Sequence, residues 1–372
     1  KSIQNEVNKK TGETAEDAER LALFSCRIPD EALAQDLQHA LDSQSNKKGE
    51  VDAIMRNPVD GAVCLPGSSL KGALSTPLIN WQDQQKSGNQ GGFLKTFLNS
   101  QQYEQQRKYR ELMSQMFGEI RSHAMQALKV SDISVPPDVC HIVKPLEKSR
   151  KEKNGTPKNA CEIIPPGTML YGRLLFDSAS GGPQIRGPGW TADFNLLRML
   201  CNAFYLSRLA IERRNFYTLP HLSKVHDEMD KVLQKIAEGF SLEKQQSIAM
   251  VEEAIRQLSP NAGPHEMAAL FQDKLQKLGC GNPPILLRVG HYSHVECVTI
   301  DSNVPKGRSF NKKEGGKTGP VFGTTRTLAA GKQPFGWVLL HFCSPEEYTN
   351  GILQTETAIE KAISKHQAQG CD

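Results

Sequence analysis

The stretch Leu65-Pro66-Gly67-Ser68-Ser69-Leu70-Lys71-Gly72-Ala73-Leu74 constrains the fold more than any other part of this chain. Ala62–Leu65 is a short apolar strand, Pro66-Gly67 forces a tight corner, and Ser68 can cap a helix that begins at about Ser69 and runs on through Leu70, Ala73 and Leu74. A strand that turns directly into a helix presents the helix N-terminus at the end of a sheet. Free N–H groups and the helix dipole favour an anion there, and Lys71 adds a cation one turn in. The residues alone leave two readings open, a phosphate seat at Ser68, Ser69 and Lys71 or a capped helix start with no ligand.

Around this element the chain reads as α+β. Residues 1–60 are polar and helix-rich, ending at Asn57-Pro58-Val59-Asp60-Gly61. Residues 61–190 carry the motif, a helical pattern over 93–128, strands at Ala127–Ile133 and Cys140–Lys144, a basic loop over Lys144–Lys158, and extended pieces at Cys161–Ile164 and Met169–Phe176. Residues 191–280 switch to helical spacing, with Leu197, Leu200, Cys201 and Phe204 first and Val225, Met229, Leu233 and Ile236 next. Strands return over 281–344 at Ile285–Val289, His294–Ile300 and Gly336–Phe342, and 345–372 closes with a helix over Pro345–His366. The pattern predicts an α+β core interrupted by a helical insertion.

Charge narrows the function. The net charge is only +4, yet 281–343 holds eight Lys/Arg against three acids. Lys306, Arg308, Lys312, Lys313, Lys317, Arg326 and Lys332 are interleaved with glycines, and Arg288 lies on a strand just before them. Clustered positive charge in a glycine-rich loop is the footprint of a polyanion surface, and its uniform sign favours backbone contact over base reading. His291, beside Tyr292, offers a polar and stacking surface next to that loop. Gly316-Lys317-Thr318 is not a nucleotide-binding loop, because Asn311 stands at the first glycine position and Pro320 blocks the following helix.

Other chemistries find little support. The nine cysteines include no Cys-x-x-Cys pair, so they read as reduced core residues in a cytoplasmic protein. His291 and His294 fall on opposite faces of an expected strand and cannot readily share a metal ion. No run of about 18 apolar residues is present, and Lys1 to Arg20 is too polar for a signal peptide. No cofactor, metal or membrane contact is expected.

Taken in order, Pro66–Leu74, Leu128-Lys129-Val130-Ser131-Asp132, Glu162–Thr168, Leu287–Gly290 and Gly336–Leu340 form a collinear set. It resembles the signature of RAMP subunits of type III CRISPR effector complexes, and within them the fifth, guide-capping subunit of the Csm (type III-A) complexes. Two departures stand out. The family's opening glycine-rich strand turn has no counterpart, and Ser75 stands where the family motif carries an arginine. The resemblance implies a ferredoxin-like, RRM-related core. It implies binding of CRISPR guide RNA near its 3′ end, support for guide maturation, and contact with other Csm-type subunits, above all the adjacent backbone subunit. It implies no catalysis by this chain. The alternatives are a ribonuclease processing guide precursor, using His291, His294 and Lys317, or a different RAMP seat in a type III complex.

Overall fold

The computed structural model describes residues 26–42, 50–57, 60–87, 127–149, 155–176, 194–217, 222–239, 283–298 and 325–368, with isolated helical positions at 246, 249 and 253. Residues 93–126 of the helical pattern expected over 93–128, and the loop residues Lys306, Arg308, Lys312, Lys313 and Lys317, lie outside the described residues.

Helix α1 (Glu31–Asp42) starts where the Asp30 carboxylate accepts the N–H groups of Ala32 and Leu33 at 3.0 and 3.3 Å. Its Leu33 and Leu37, one turn apart, pack with Ala160 against a small sheet. That sheet joins β1 (Val51–Asp52), β8 (Ala160–Ile163) and β5 (His141–Val143) in the order β1-β8-β5. Glu162 on β8 binds this region together. It pairs with Arg56, and it accepts the Ile54 N–H at 3.0 Å.

The main core lies elsewhere. Strand β2 (Val63–Leu65) pairs antiparallel with β4 (Ile133–Val135) and leads into α2 (Gly67–Ser87). Helix α2 packs on β3 (Leu128–Val130), which pairs with β9 (Leu174–Phe176), and on α3 (Phe194–Glu212). Pro77 inside α2 lacks an N–H and so frees the Ala73 carbonyl four residues back; Tyr205 of α3 donates to it at 2.9 Å. Helix α3 continues into a π-helical turn, Arg213–Tyr217, and α4 (Ser223–Gly239) follows. Residues Leu200 to Glu212 are buried without interruption, so the helical stretch that opens at 194 begins with a core helix.

Strand β10 (Ile285–Arg288) pairs antiparallel with β13 (Trp337–Leu340) beneath α3. Asn202 of α3 ties the two layers, donating to Pro284 O at 3.0 Å and accepting Leu286 N–H at 2.8 Å. A four-stranded sheet runs β12-β11-β6-β7, from β12 (Gln333–Pro334), β11 (Thr325–Ala329), β6 (Pro145–Ser149) and β7 (Thr156–Pro157). The Lys144–Lys158 stretch, expected as a loop, thus contains strand. Helix α5 (Pro345–Ala368) lies over Tyr171. A Cβ at Gly351 would come within 2.4 Å of that ring, so the helix can seat only with glycine there.

Over the described residues 294–298 the expected strand is not formed. His294–Ile300 contains a 3-10 turn, Val295–Cys297, reached through His294 at φ 62. A left-handed residue breaks an extended run, and the turn carries Glu296 and Cys297 into the interior.

Among the described residues no helix is long and apolar enough to cross a membrane, and no group of three or more His, Cys, Asp or Glu could hold a metal ion. The described cysteines are unpaired.

Candidate nucleic-acid interface

The first turn of α2 is set by its neighbour β3. A Cβ on Gly67 would sit 2.3 Å from Val130 O and 2.7 Å from Ser131 O, so the helix start approaches that strand end closely only as glycine. The Gly67 N–H donates to the Asp132 carboxylate at 2.7 Å, and the N–H groups of Ser69 and Leu70 reach Pro66 O at 2.9 and 3.5 Å. The anion seat expected from the sequence is therefore narrower than a free helix end. Asp132 already answers the dipole, and Ser68 N–H is the first-turn donor without a partner among the described residues.

Side chains supply the positive charge. Ser68 and Ser69 are exposed at the corner, and Lys71 stands half-buried one turn further. Burial pulls the Lys71 pKa below its usual value, and the like charge of Lys129 on β3 pulls it further. Neither lysine has a carboxylate partner among the described residues. Gly72, on the exposed side of the same turn, has nothing within 4 Å of where a Cβ would stand.

Arg288 and Arg326, expected at the RNA surface, lie inside the protein at 1% and 3% exposure. Both guanidinium groups converge on Glu212 of α3: Arg288 pairs with it directly, Arg326 Nε reaches it at 2.9 Å, and Arg326 Nη2 meets Glu296 at 3.2 Å. Tyr217 donates its hydroxyl to the same carboxylate. Burial alone would raise the Glu212 pKa, but the two arginines outweigh it and hold the group at about 2. Their physical role is to neutralise a buried carboxylate and join α3, β10 and β11, so they are withdrawn from the interface.

The two histidines divide likewise. His291 is exposed, its ring edge against Tyr292 at 4.8 Å between centroids, and Tyr292 packs on Phe335 at 4.8 Å. His294 faces Arg288, Arg326, Glu212 and Glu296, and its Nε2 is sealed from solvent without a hydrogen-bond partner. Burial first, then the two arginines, push its pKa down to about 3, so the ring is neutral at ordinary pH. A pair of histidines acting together on one RNA bond is not assembled here.

The second basic stretch is partly spent on internal pairing. Lys144 binds Asp36 at 3.0 Å, and Lys158 binds Glu147. Lys148 lies beside Gly331 in the four-stranded sheet.

No family model matches the chain, and no curated protein does. Solved structures do. A chain of a cryo-EM structure of a Csm–crRNA–target RNA ternary complex, from a type III-A CRISPR–Cas system, aligns with a TM-score of 0.39 and 18% identity over 86% of this chain and 93% of that one. The crystal structure of T. onnurineus Csm5 aligns with a TM-score of 0.36 and 18% identity, over 78% of this chain and 74% of the other. The chain is similar to Csm proteins.

Lys129 adds an exposed cation to this candidate interface, although it was not singled out from the sequence. The signal was the alternation Leu128-Lys129-Val130, which turns the lysine outward from a strand whose other side chains face the core.

Proposed function

We propose that this chain binds RNA as a non-catalytic, guide-holding subunit of a Csm-type complex. The observation that carries the reading is Lys71, half-buried at the corner between β2 and α2, beside Lys129 and without a carboxylate partner among the described residues. Two unspent cations next to exposed Ser68 and Ser69 suit a phosphodiester backbone, which they hold by charge and hydroxyl donors without reading sequence. Helices α2 and α3 lying together on β3, β9 and β10 support the ferredoxin-like arrangement that the motif set implies. In that arrangement the chain caps the 3′-proximal guide and meets the neighbouring backbone subunit in the cytoplasm. The burial of His294 favours binding over cleavage, since a sealed imidazole cannot take a proton from a ribose hydroxyl.

The test uses purified full-length protein and single-stranded CRISPR repeat RNA. The protein should retain the RNA uncut. Lys71→Ala should weaken binding for all sequences alike and lower the slope of log Kobs against log salt by about 0.7, the value of one single-strand phosphate contact. An unchanged slope in a folded variant rejects the α2 corner as the phosphate seat, and cleavage of the RNA by the purified chain rejects the non-catalytic role.

A further inference from the structure

The outer face of the β3–β9 ribbon is not explained by folding. Leu128, Val130, Leu174 and Phe176 face the core, so Lys129 and Leu175 point the other way. The two are cross-strand partners in the register, and Leu175 is 56% exposed. The pairing continues past the strand ends, where Ser131 N–H donates to Arg173 O at 3.0 Å and Arg173 N–H donates to Ser131 Oγ at 2.9 Å. Arg173 therefore shares the outward parity of Leu175, two residues along the same strand. Its guanidinium lies 5.0 Å from the centre of the Tyr348 ring, and its Nε donates to the Tyr348 hydroxyl at 3.0 Å. Tyr348 is brought there by the first turn of α5, whose seat on Tyr171 needs Gly351.

The result is a surface where two cations flank an exposed leucine, with an aromatic ring held at one end. Neither Lys129 nor Arg173 has a carboxylate partner among the described residues. Acids are close in sequence, Asp132 three residues after Lys129 and Glu346 and Glu347 just before Tyr348, yet neither cation is paired with them among the described residues. Cations interleaved with apolar and aromatic side chains are the composition of a track for single-stranded nucleic acid, with phosphates on the cations and bases or riboses on the flat apolar groups. The track is continuous with the α2 corner, because Gly67 touches the backbone of Val130 and Lys71 feels the charge of Lys129.

We propose that the outer face formed by Lys129, Leu175, Arg173 and Tyr348 carries a single-stranded RNA segment that runs on from the α2 corner. Two phosphates sit on Lys129 and Arg173, and an unstacked base rests on Leu175 and Tyr348. This rests on the RNA-binding reading above and extends it from one phosphate seat to a path of several nucleotides. Tyr348 is an RNA-contacting residue in this assignment, and it also positions Arg173 through its hydroxyl.

The experiment measures the affinity of the full-length chain for a single-stranded RNA oligonucleotide, as a function of salt. Lys129→Ala combined with Arg173→Ala should lower the salt slope by about 1.4, two single-strand contacts. Tyr348→Ala should weaken binding about tenfold at fixed salt, whereas Tyr348→Phe should retain the stacking and lose less. Leu175 exchanged for a photoreactive leucine analogue should crosslink to the bound RNA, a readout that does not depend on a variant's stability. If Lys71→Ala lowers the slope but Arg173→Ala alone does not, and no crosslink forms, the track is wrong and the corner, which shares Lys129, stands. If the pair and the crosslink respond and Lys71 does not, the track stands without the corner. Wild-type protein that fails to bind RNA overturns both, and crosslinking at Leu175 to a co-purified protein alone assigns the face to a protein partner and overturns the track.

Discussion

Two groups of cations, one inside the protein and one at its surface, differ in what neutralises them. Arg288 and Arg326 are buried against Glu212 and Glu296, with their charge satisfied internally. Lys71, Lys129 and Arg173 stand at or near the surface with no acid paired to them among the described residues. The residue types are alike, and each arginine or lysine lies on or beside a short apolar strand. A buried cation must be matched by an anion from the protein itself, because removal from water costs several kcal/mol per ion. An exposed cation has no such requirement, so its lack of a partner leaves it available to a ligand.

The contrast can be broken most directly at Glu212. Glu212→Ala leaves two guanidinium groups facing each other in the interior, and we expect a loss of about 3–5 kcal/mol of stability, read from urea unfolding of the full chain. Lys71→Ala, by the same measurement, should move stability by no more than about 0.5 kcal/mol. Equal, small effects at both places would show that the Glu212 cluster is wetter and looser than its geometry implies.

The sequence made the elements legible but not this division. The closing helix was expected over Pro345–His366 and runs Pro345–Ala368, because its length and periodic apolar positions need no long-range information. The corner before α2 was equally plain from Pro66-Gly67, but the sequence put the cap at Ser68 and the start at about Ser69, whereas the helix starts at Gly67. Its coupling to Asp132 was not, since a carboxylate 65 residues away takes the Gly67 N–H. Arg288 and Arg326 were placed at the surface because their neutralising partner, Glu212, sits on a helix distant in sequence and looks like any helical glutamate. Arg173 was missed for the converse reason. Its outward face follows from register with Ser131, and its aromatic neighbour comes from α5.

His294 sharpens the comparison at an intermediate scale, because it is a titratable group inside the buried cluster. Its native pKa is about 3, against an ordinary value of 6.5. Between those values the unfolded chain binds a proton at this histidine that the native protein excludes. The native state is therefore favoured most above pH 6.5 and loses stability as pH falls below it. The full single-proton slope is about 1.4 kcal/mol per pH unit. Urea unfolding at pH 7.5 and 5.5 should show this decline in the wild type. His294→Asn should flatten it, since asparagine tolerates the left-handed backbone at φ 62 and does not titrate. Glu147, which also faces His294, stays paired with Lys158 and Thr325 in this window and keeps its sign. An unchanged pH dependence in the variant would remove His294 from the cluster's electrostatics.

The smallest effect belongs to the exposed side, at Gly72. A glycine inside a helix costs about 0.5–1 kcal/mol relative to alanine, through the backbone freedom it loses on folding. Folding gains nothing in return at this position. No atom lies within 4 Å of where a Cβ would stand, and the residue is exposed on the turn that carries Lys71, four residues after Ser68 and three after Ser69. Gly67, by contrast, is required by the Val130 carbonyl. Gly72→Ala should therefore raise stability by about 0.5–1 kcal/mol in urea unfolding. If RNA backbone lies against this turn, the added methyl should also weaken RNA binding while leaving the salt slope unchanged, because it removes room without removing charge. A variant that is more stable and binds RNA equally well would keep the phosphate at the tip of Lys71 and away from the helix surface. A variant that is more stable and binds less well would locate the backbone directly over Gly72, the position where the fold gives up stability for no contact of its own.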